Sequence, residues 1–308
     1  MQLFADLQRR FARRRPEHIV LATVEPYTLG AFKLKLWTAW TGLSAVAIFH
    51  EALATVAHRY LRSPLWWAFM SSIYTPHPKR LTYVVLSRTA KHLLDGLAPR
   101  LARRTVVIEH PSLMGDVPSH APTVRHSTPR FGFMGFGRDA KGFATFLELA
   151  ESVRARYPDA TFEVVGSAPA DATESDRALL LWSEQPLPLR DFTHRLRGLT
   201  HVIWLGRPEH YGLVVSGSLI DTLALGIPVV CLSGPFVDDL FVSFGEIGSR
   251  CATTADVEGE VLQILASFSE EDYSRHRRAM VTASLPLRPE SSAHLLRAAL
   301  VTPAGNGS

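Results

Sequence analysis

Cysteine is nearly absent from this chain. Of 308 residues only Cys231 and Cys251 are cysteines, too few for a disulfide framework and without metal-ligand spacing. Such scarcity points to a reducing, cytosolic compartment. Long apolar runs are missing too: "LWTAWTGLSAVAIF" and "LWWAFM" fall short of the about 20 apolar residues that a spanning helix needs. The amino terminus, "MQLFADLQRRFARRRP", has no continuous apolar stretch and is not a signal peptide. Neither sign of charge dominates, since 33 basic residues face 29 acidic ones for a net +4. That balance argues against a general polyanion surface, and so against nucleic acid as a partner. No low-complexity block interrupts a composition that is 46% hydrophobic and 20% charged. The chain is therefore globular and long enough for two modest domains, each with its own core.

Within that frame one architecture occurs twice. Apolar runs over 18–24, 44–50, 81–87 and 105–109 alternate with helical patterns such as "RTAKHLLDGLAPRL", and runs over 130–135, 161–166, 201–205 and 227–232 repeat the alternation. Strands that alternate with helices form parallel sheets through crossover connections. The segment 113–129, rich in Pro, Ser, Thr and His without apolar period, reads as the linker. Residues 1–112 then form the first α/β domain, 130–285 the second, and 286–308 a terminal helix and tail. Ahead of the first strand, Leu3, Phe4, Leu7 and Phe11 share a helical face that ends in a cluster of arginines. That pattern suits either contact with an anionic membrane surface or a docked surface helix. Trp66 and Trp67 are candidates for lipid contact or for core.

Two stretches carry the chemistry. In "RFGFMGFGRDAKGF" a strand ends in glycines and gives way to a helix whose Phe143, Phe146, Leu147, Ala150 and Val153 recur at helical spacing. Ligands of open α/β sheets bind at such junctions, helix-start N–H groups hold anions, and Lys141 adds a point charge suited to phosphate. In "YGLVVSGSLIDTLALGIPVVCLSGP", Ser216 is the N-cap of a short helix that Gly226 ends and Pro228 keeps from continuing. Its start presents Ser216, Gly217 and Ser218 to the same ligand, and Asp221, one turn in, can accept from a ribose diol. A dinucleotide oxidoreductase fits poorly, because the glycine turn lacks the third, helix-packing glycine and Gly166 stands where the acidic residue belongs.

Together, "GFMGFGRDAKGF", "YPDATFEVVG" and "SLIDTLALGIPVV" resemble the nucleotide-binding domain of GT-B glycosyltransferases of the large family-four group. The first half resembles that group more loosely, through "AVAIFHEAL", "YVVLSRTAKHLL" and "VVIEHPS". The resemblance implies an α/β fold of two Rossmann-like parallel-sheet domains facing a cleft, the amino-terminal one truncated. It implies Lys141 on the donor diphosphate, Asp221 on the ribose where the group usually has glutamate, and donor contacts from Gly135, Phe136, Gly137, Arg138, Gly166, Tyr211, Ser216, Gly217 and Ser218. His50 is implied beside the transferred sugar, with Glu51 a second candidate. His110, His126 and His210 carry no comparable context.

Three positions depart from the group's pattern. Phe136 stands where an arginine is usual, Leu213 falls at the spacing of the first acid of a pair, and the strands expected ahead of residue 18 are missing. The last leaves the 18–24 strand as a sheet edge for the basic helix, a second copy or a partner subunit to cover. The implied activity is metal-independent and cofactor-free transfer from a nucleoside-diphosphate sugar to a glycan, polysaccharide or lipid-linked hydroxyl, in the cytoplasm or at the inner face of a membrane. "VDDL" at 237–240 is expected to solvate a helix start rather than bind metal. The departures motivate an alternative, a degenerate subunit that binds nucleotide or glycan weakly and serves as a partner protein.

Overall fold

A computed structural model describes residues 16–25, 28–53, 64–112, 114, 128–137, 139–167, 173, 180–183 and 187–301. The chain packs as two compact units, Met1–Glu109 with Ala293–Ser308, and His110–Ser292. The sequence places 110–112 in the first domain. They pack in the second unit instead, because Ser112 N–H donates to Leu287 O and its hydroxyl to Asp221 Oδ1. The terminal segment divides as well, with the helix Pro289–Val301 crossing from one unit into the other.

In the first unit β1 (His18–Leu21), α1 (Thr28–Thr38), β2 (Ser44–Phe49), α2 (Pro64–Tyr74), β3 (Leu81–Val85), α3 (Arg88–Leu97), α4 (Pro99–Ala102) and β4 (Thr105–Val107) follow in order. All strand pairs are parallel and the sheet order is β1-β2-β3-β4. Every residue of β3 is buried, the continuous apolar run typical of a parallel strand. β1 lies at the edge and alternates exposed and half-buried residues. Its expected extension to Val24 ends at Leu21, although Val24 N–H still reaches Ile48 O at 3.2 Å. The single helix expected over "RTAKHLLDGLAPRL" is two: Ser87 caps α3 through Ala90 N–H, and Pro99, which lacks an N–H, starts α4 afresh.

The second unit holds β5 (Arg130–Met134), α5 (Phe143–Arg156), β6 (Thr161–Ser167), β7 (Leu181–Ser183), α6 (Leu189–Arg197), β8 (His201–Trp204), α7 (Gly217–Ala224), β9 (Val229–Leu232), α8 (Pro235–Phe244), β10 (Gly248–Cys251), α9 (Thr254–Ser267) and α10 (Glu270–Ala283), before α11 (Pro289–Val301). Its six parallel strands run in the order β10-β9-β8-β5-β6-β7. The progression therefore reverses between β5 and β8. β7 and β10 escape a reading of apolar runs, since "LWS" is only three residues and "GSRC" carries glycine and arginine. Ladder pairing with β6 and β9 defines them. Asp238 and Asp239 lie in α8, which begins at Pro235 after Gly234.

Aromatic packing seats α5 on this sheet. Phe133 meets Phe143 edge-on at 5.2 Å, Phe146 packs on Phe162, and all four are buried. Each such side chain contributes about 1.5–3 kcal/mol by burial. The turn between β5 and α5 is thereby held at both ends.

Candidate functional site

In a doubly wound sheet the reversal of strand order opens a crevice at the carboxyl ends of the strands on either side. Here those ends are Gly135 after β5 and Leu205 after β8. The junction after β5 differs from the simple turn expected: a 3-10 turn, Asp139–Lys141, precedes α5. Arg207 clamps it from the β8 side, donating its backbone N–H to Ala140 O and its guanidinium to Asp139 at 2.6 Å. Lys141 thus sits before the helix, not in its first turn.

Its ammonium lies over Gly135. A Cβ at Gly135 would fall 2.7 Å from Lys141 Nζ, and φ of +98° disfavours any side chain there. Gly166 has a related task, because a Cβ there would lie 2.0 Å from the Gly135 carbonyl oxygen at φ +149°. The N–H groups of Gly135 and Gly137 are occupied by the Val165 and Ser167 carbonyls of β6, at 2.9 Å each. These glycines therefore shape the crevice instead of presenting N–H groups to an anion.

Lys141 Nζ donates to Ser218 Oγ at 3.2 Å, at the amino end of α7. Ser216 caps that helix and is buried. Its Oγ accepts from Leu219 N–H at 3.3 Å and from Trp204 Nε1–H at 3.2 Å. With both lone pairs engaged, its own hydrogen goes to Ser218 Oγ, 3.0 Å away. Ser218 then accepts from Lys141 and Ser216, and its O–H remains to donate to an incoming acceptor atom. Ser216, expected as a donor contact, thus braces the helix start from inside, while Ser218 lies between it and Lys141.

Asp221 does not wait with an empty carboxylate for a ribose: Oδ1 accepts from the buried Ser112 hydroxyl at 2.6 Å. Tyr211 is also interior, its ring 5.0 Å from Trp204 and 4.9 Å from His210. Leu213 is buried, whereas Phe136 is 46% exposed. Arg138 lies outside the described residues. His50 and Glu51 follow β2 in the first unit, half-buried and exposed respectively.

The structure adds His110, which sequence context passes over. It lies beside Gly217, where a Cβ would meet its Cε1 at 3.5 Å. Burial holds its imidazole below the ordinary value. Nδ1 is 2.8 Å from the Pro111 carbonyl, which can only accept, so this nitrogen carries the proton of the neutral ring. The signal available in the sequence was "EHPS" at the end of the fourth strand, but its proximity to α7 depends on the Ser112 tether.

Two parallel α/β sheets, the second with a switch-point crevice of this kind, define the GT-B glycosyltransferase fold, and that is the fold of this chain. It is similar to sucrose-phosphate synthase from Thermosynechococcus elongatus, with a TM-score of 0.67 and 14% identity, over 96% of this chain and 76% of that one. It is similar to an alpha,alpha-trehalose-phosphate synthase (UDP-forming) from Burkholderia vietnamiensis, with a TM-score of 0.62 and 9% identity, over 97% and 78%. A mutant of S. aureus TarM, in complex with Fondaparinux, alpha-GlcNAc-glycerol and UDP, matches with a TM-score of 0.58 and 15% identity, over 87% of this chain and 52% of its own. The chain thus spans about three quarters of the two synthases and about half of TarM. No family model and no curated protein matches the sequence.

Proposed function

We propose that the chain transfers a sugar from a nucleoside-diphosphate sugar to a hydroxyl of a glycan, polysaccharide or lipid-linked acceptor, without a metal. The observation that carries this reading is the meeting of Lys141 Nζ and Ser218 Oγ at the amino end of α7, 3.2 Å apart above Gly135. As the bond from the anomeric carbon to the diphosphate breaks, negative charge gathers on the leaving oxygens. Lys141, the Ser218 hydroxyl and the first N–H groups of α7 are donors placed to stabilise it. The acceptor oxygen forms the new bond to the anomeric carbon, and its proton passes to the departing diphosphate. His50 polarises the transferred sugar, with Glu51 the second candidate for that role, and Asp221 accepts from the ribose diol.

Three observations support the alternative of a degenerate, weakly binding partner subunit: Asp221 is tied to Ser112, Phe136 stands in place of the arginine, and Leu213 buries the position of the acid. Calorimetry with UDP, GDP, TDP and ADP separates the readings, and the UDP in the TarM complex makes UDP the first to try. Binding of one nucleotide that weakens about tenfold, or about 1.4 kcal/mol, in Lys141→Ala supports the transferase. No binding at millimolar nucleotide supports the partner subunit.

Residues 113–129 link the two halves, and a second copy or a partner subunit covers the β1 edge. The arginine-rich amino terminus, which lies outside the described residues, rests on the cytoplasmic face of a membrane. Among the described residues no helix is long and apolar enough to cross one. Trp37 and Trp67, 45% and 57% exposed on α1 and α2, support surface contact.

A further inference from the structure

The Lys141 crevice lies at the carboxyl edge of the second sheet. At the opposite, amino edge is a cavity of about 510 Å³ that the chemistry above does not use. His201 and Pro228, at the starts of β8 and β9, form its floor, and the α9–α10 junction with Phe268 and Tyr273 forms one wall. The rings pack on one another, His201 stacked on Phe131 and both His201 and Phe268 tilted against Tyr273. His201 lies 5.6 Å from Phe131 and 6.1 Å from Tyr273, Phe268 lies 5.9 Å from Tyr273, and the buried Tyr273 hydroxyl donates to Leu199 O at 3.4 Å. The lining also carries polar side chains, Asp272, Arg275 and His276 from α10 and Glu246 from the loop before β10.

We propose that this cavity binds a neutral saccharide of one or two rings. Cavities of about 300–1,000 Å³ hold small ligands of that size. A pyranose has an apolar C–H face, which suits the electron-rich faces of aromatic rings. Its edge carries hydroxyls that both donate and accept, and so can bridge the Asp272–Arg275 pair, whose charged atoms are 2.5 Å apart. A phosphorylated ligand is disfavoured. Two carboxylates stand beside a single guanidinium, the His276 ring nitrogen Nε2 is engaged by the Glu246 carbonyl, and the first turn of α10 adds Glu270 and Glu271 to Asp272, where an anion would otherwise be welcomed by the helix. This site does not depend on the proposed transferase activity: it is a second holding point for glycan on the same unit.

Saturation-transfer NMR on the full chain, with maltose, cellobiose and N,N′-diacetylchitobiose at millimolar concentration, tests it. We expect at least one disaccharide to receive saturation, and its affinity to fall about fivefold or more in Arg275→Ala and in Phe268→Ala while Lys141→Ala leaves it unchanged. Arg275 is an exposed helix residue, so that variant retains the fold even if Phe268→Ala does not. The proposal is overturned by no transfer from any of the three, by transfer that Arg275→Ala leaves intact, or by transfer lost in Lys141→Ala. Nucleotide binding is measured separately, so failure here leaves the donor reading standing, and the reverse.

Discussion

An alanine at position 166 would place a methyl group 2.0 Å from the Gly135 carbonyl oxygen, in a backbone conformation that side chains avoid. Gly166 lies within β6 and the Gly135 N–H is bonded to the Val165 carbonyl of the same strand, so neither backbone can retreat cheaply. Gly166→Ala should cost about 3 kcal/mol or more, read as a lower urea midpoint or as loss of soluble protein. Lys141→Ala should behave differently. Its stability should shift little, since a half-exposed hydrogen bond is worth about 1 kcal/mol, while nucleotide affinity falls about tenfold. The sequence signalled the lysine through the glycines around it. It could not signal that Ser216 faces inward, because the bond from Trp204 joins positions twelve apart whose geometry depends on the sheet.

Among the elements, α1 and α2 are joined by a buried lysine. Lys33 Nζ donates to Ser72 O at 2.6 Å, Thr75 O at 3.1 Å and Thr75 Oγ1 at 2.8 Å, so it completes the last turn of α2. Burial pushes this ammonium down to about 8. Lys33→Met keeps the volume but strands the carbonyls, and should cost about 2–4 kcal/mol in thermal or urea unfolding. His77 supplies a pH test of the same region. Its Nδ1 lies 2.8 Å from the Tyr83 hydroxyl, and burial, with Lys33 and Arg104 adding repulsion, pushes it down to about 4. The unfolded chain takes up the proton at 6.5 and the folded chain only near 4. Its contribution to stability is therefore intact above 6.5 and declines as pH falls toward and through 4. The urea midpoint should drop across that window, and His77→Gln should flatten the drop. Neither group stands out in the sequence. A lysine inside "GAFKLKLW" reads as surface until α2 closes over it.

For the molecule as a whole, the composition and the basic amino terminus converge on one experiment. Full-length protein should co-sediment with vesicles containing phosphatidylglycerol and release at raised ionic strength, as an electrostatic contact does. Removal of residues 1–15 should abolish sedimentation without changing the circular dichroism of the body. Retained binding in the shortened chain would shift the contact to the exposed Trp37 and Trp67 surface.

Periodicity alone carried most of the architecture. Alternating apolar runs identified eight of the ten strands among the described residues, and Ser216 and Gly226 marked the ends of α7, because these signals are local and each needs only a few neighbouring residues. β10 was illegible for the converse reason: Gly248–Cys251 is a strand by virtue of β9 beside it. The same division runs through the site. Gly135, Lys141 and Ser218 stand out in their local pattern, and they meet in the structure. The Asp221–Ser112 bond and the approach of His110 to α7 join residues more than a hundred positions apart, and only the closed fold brings them together.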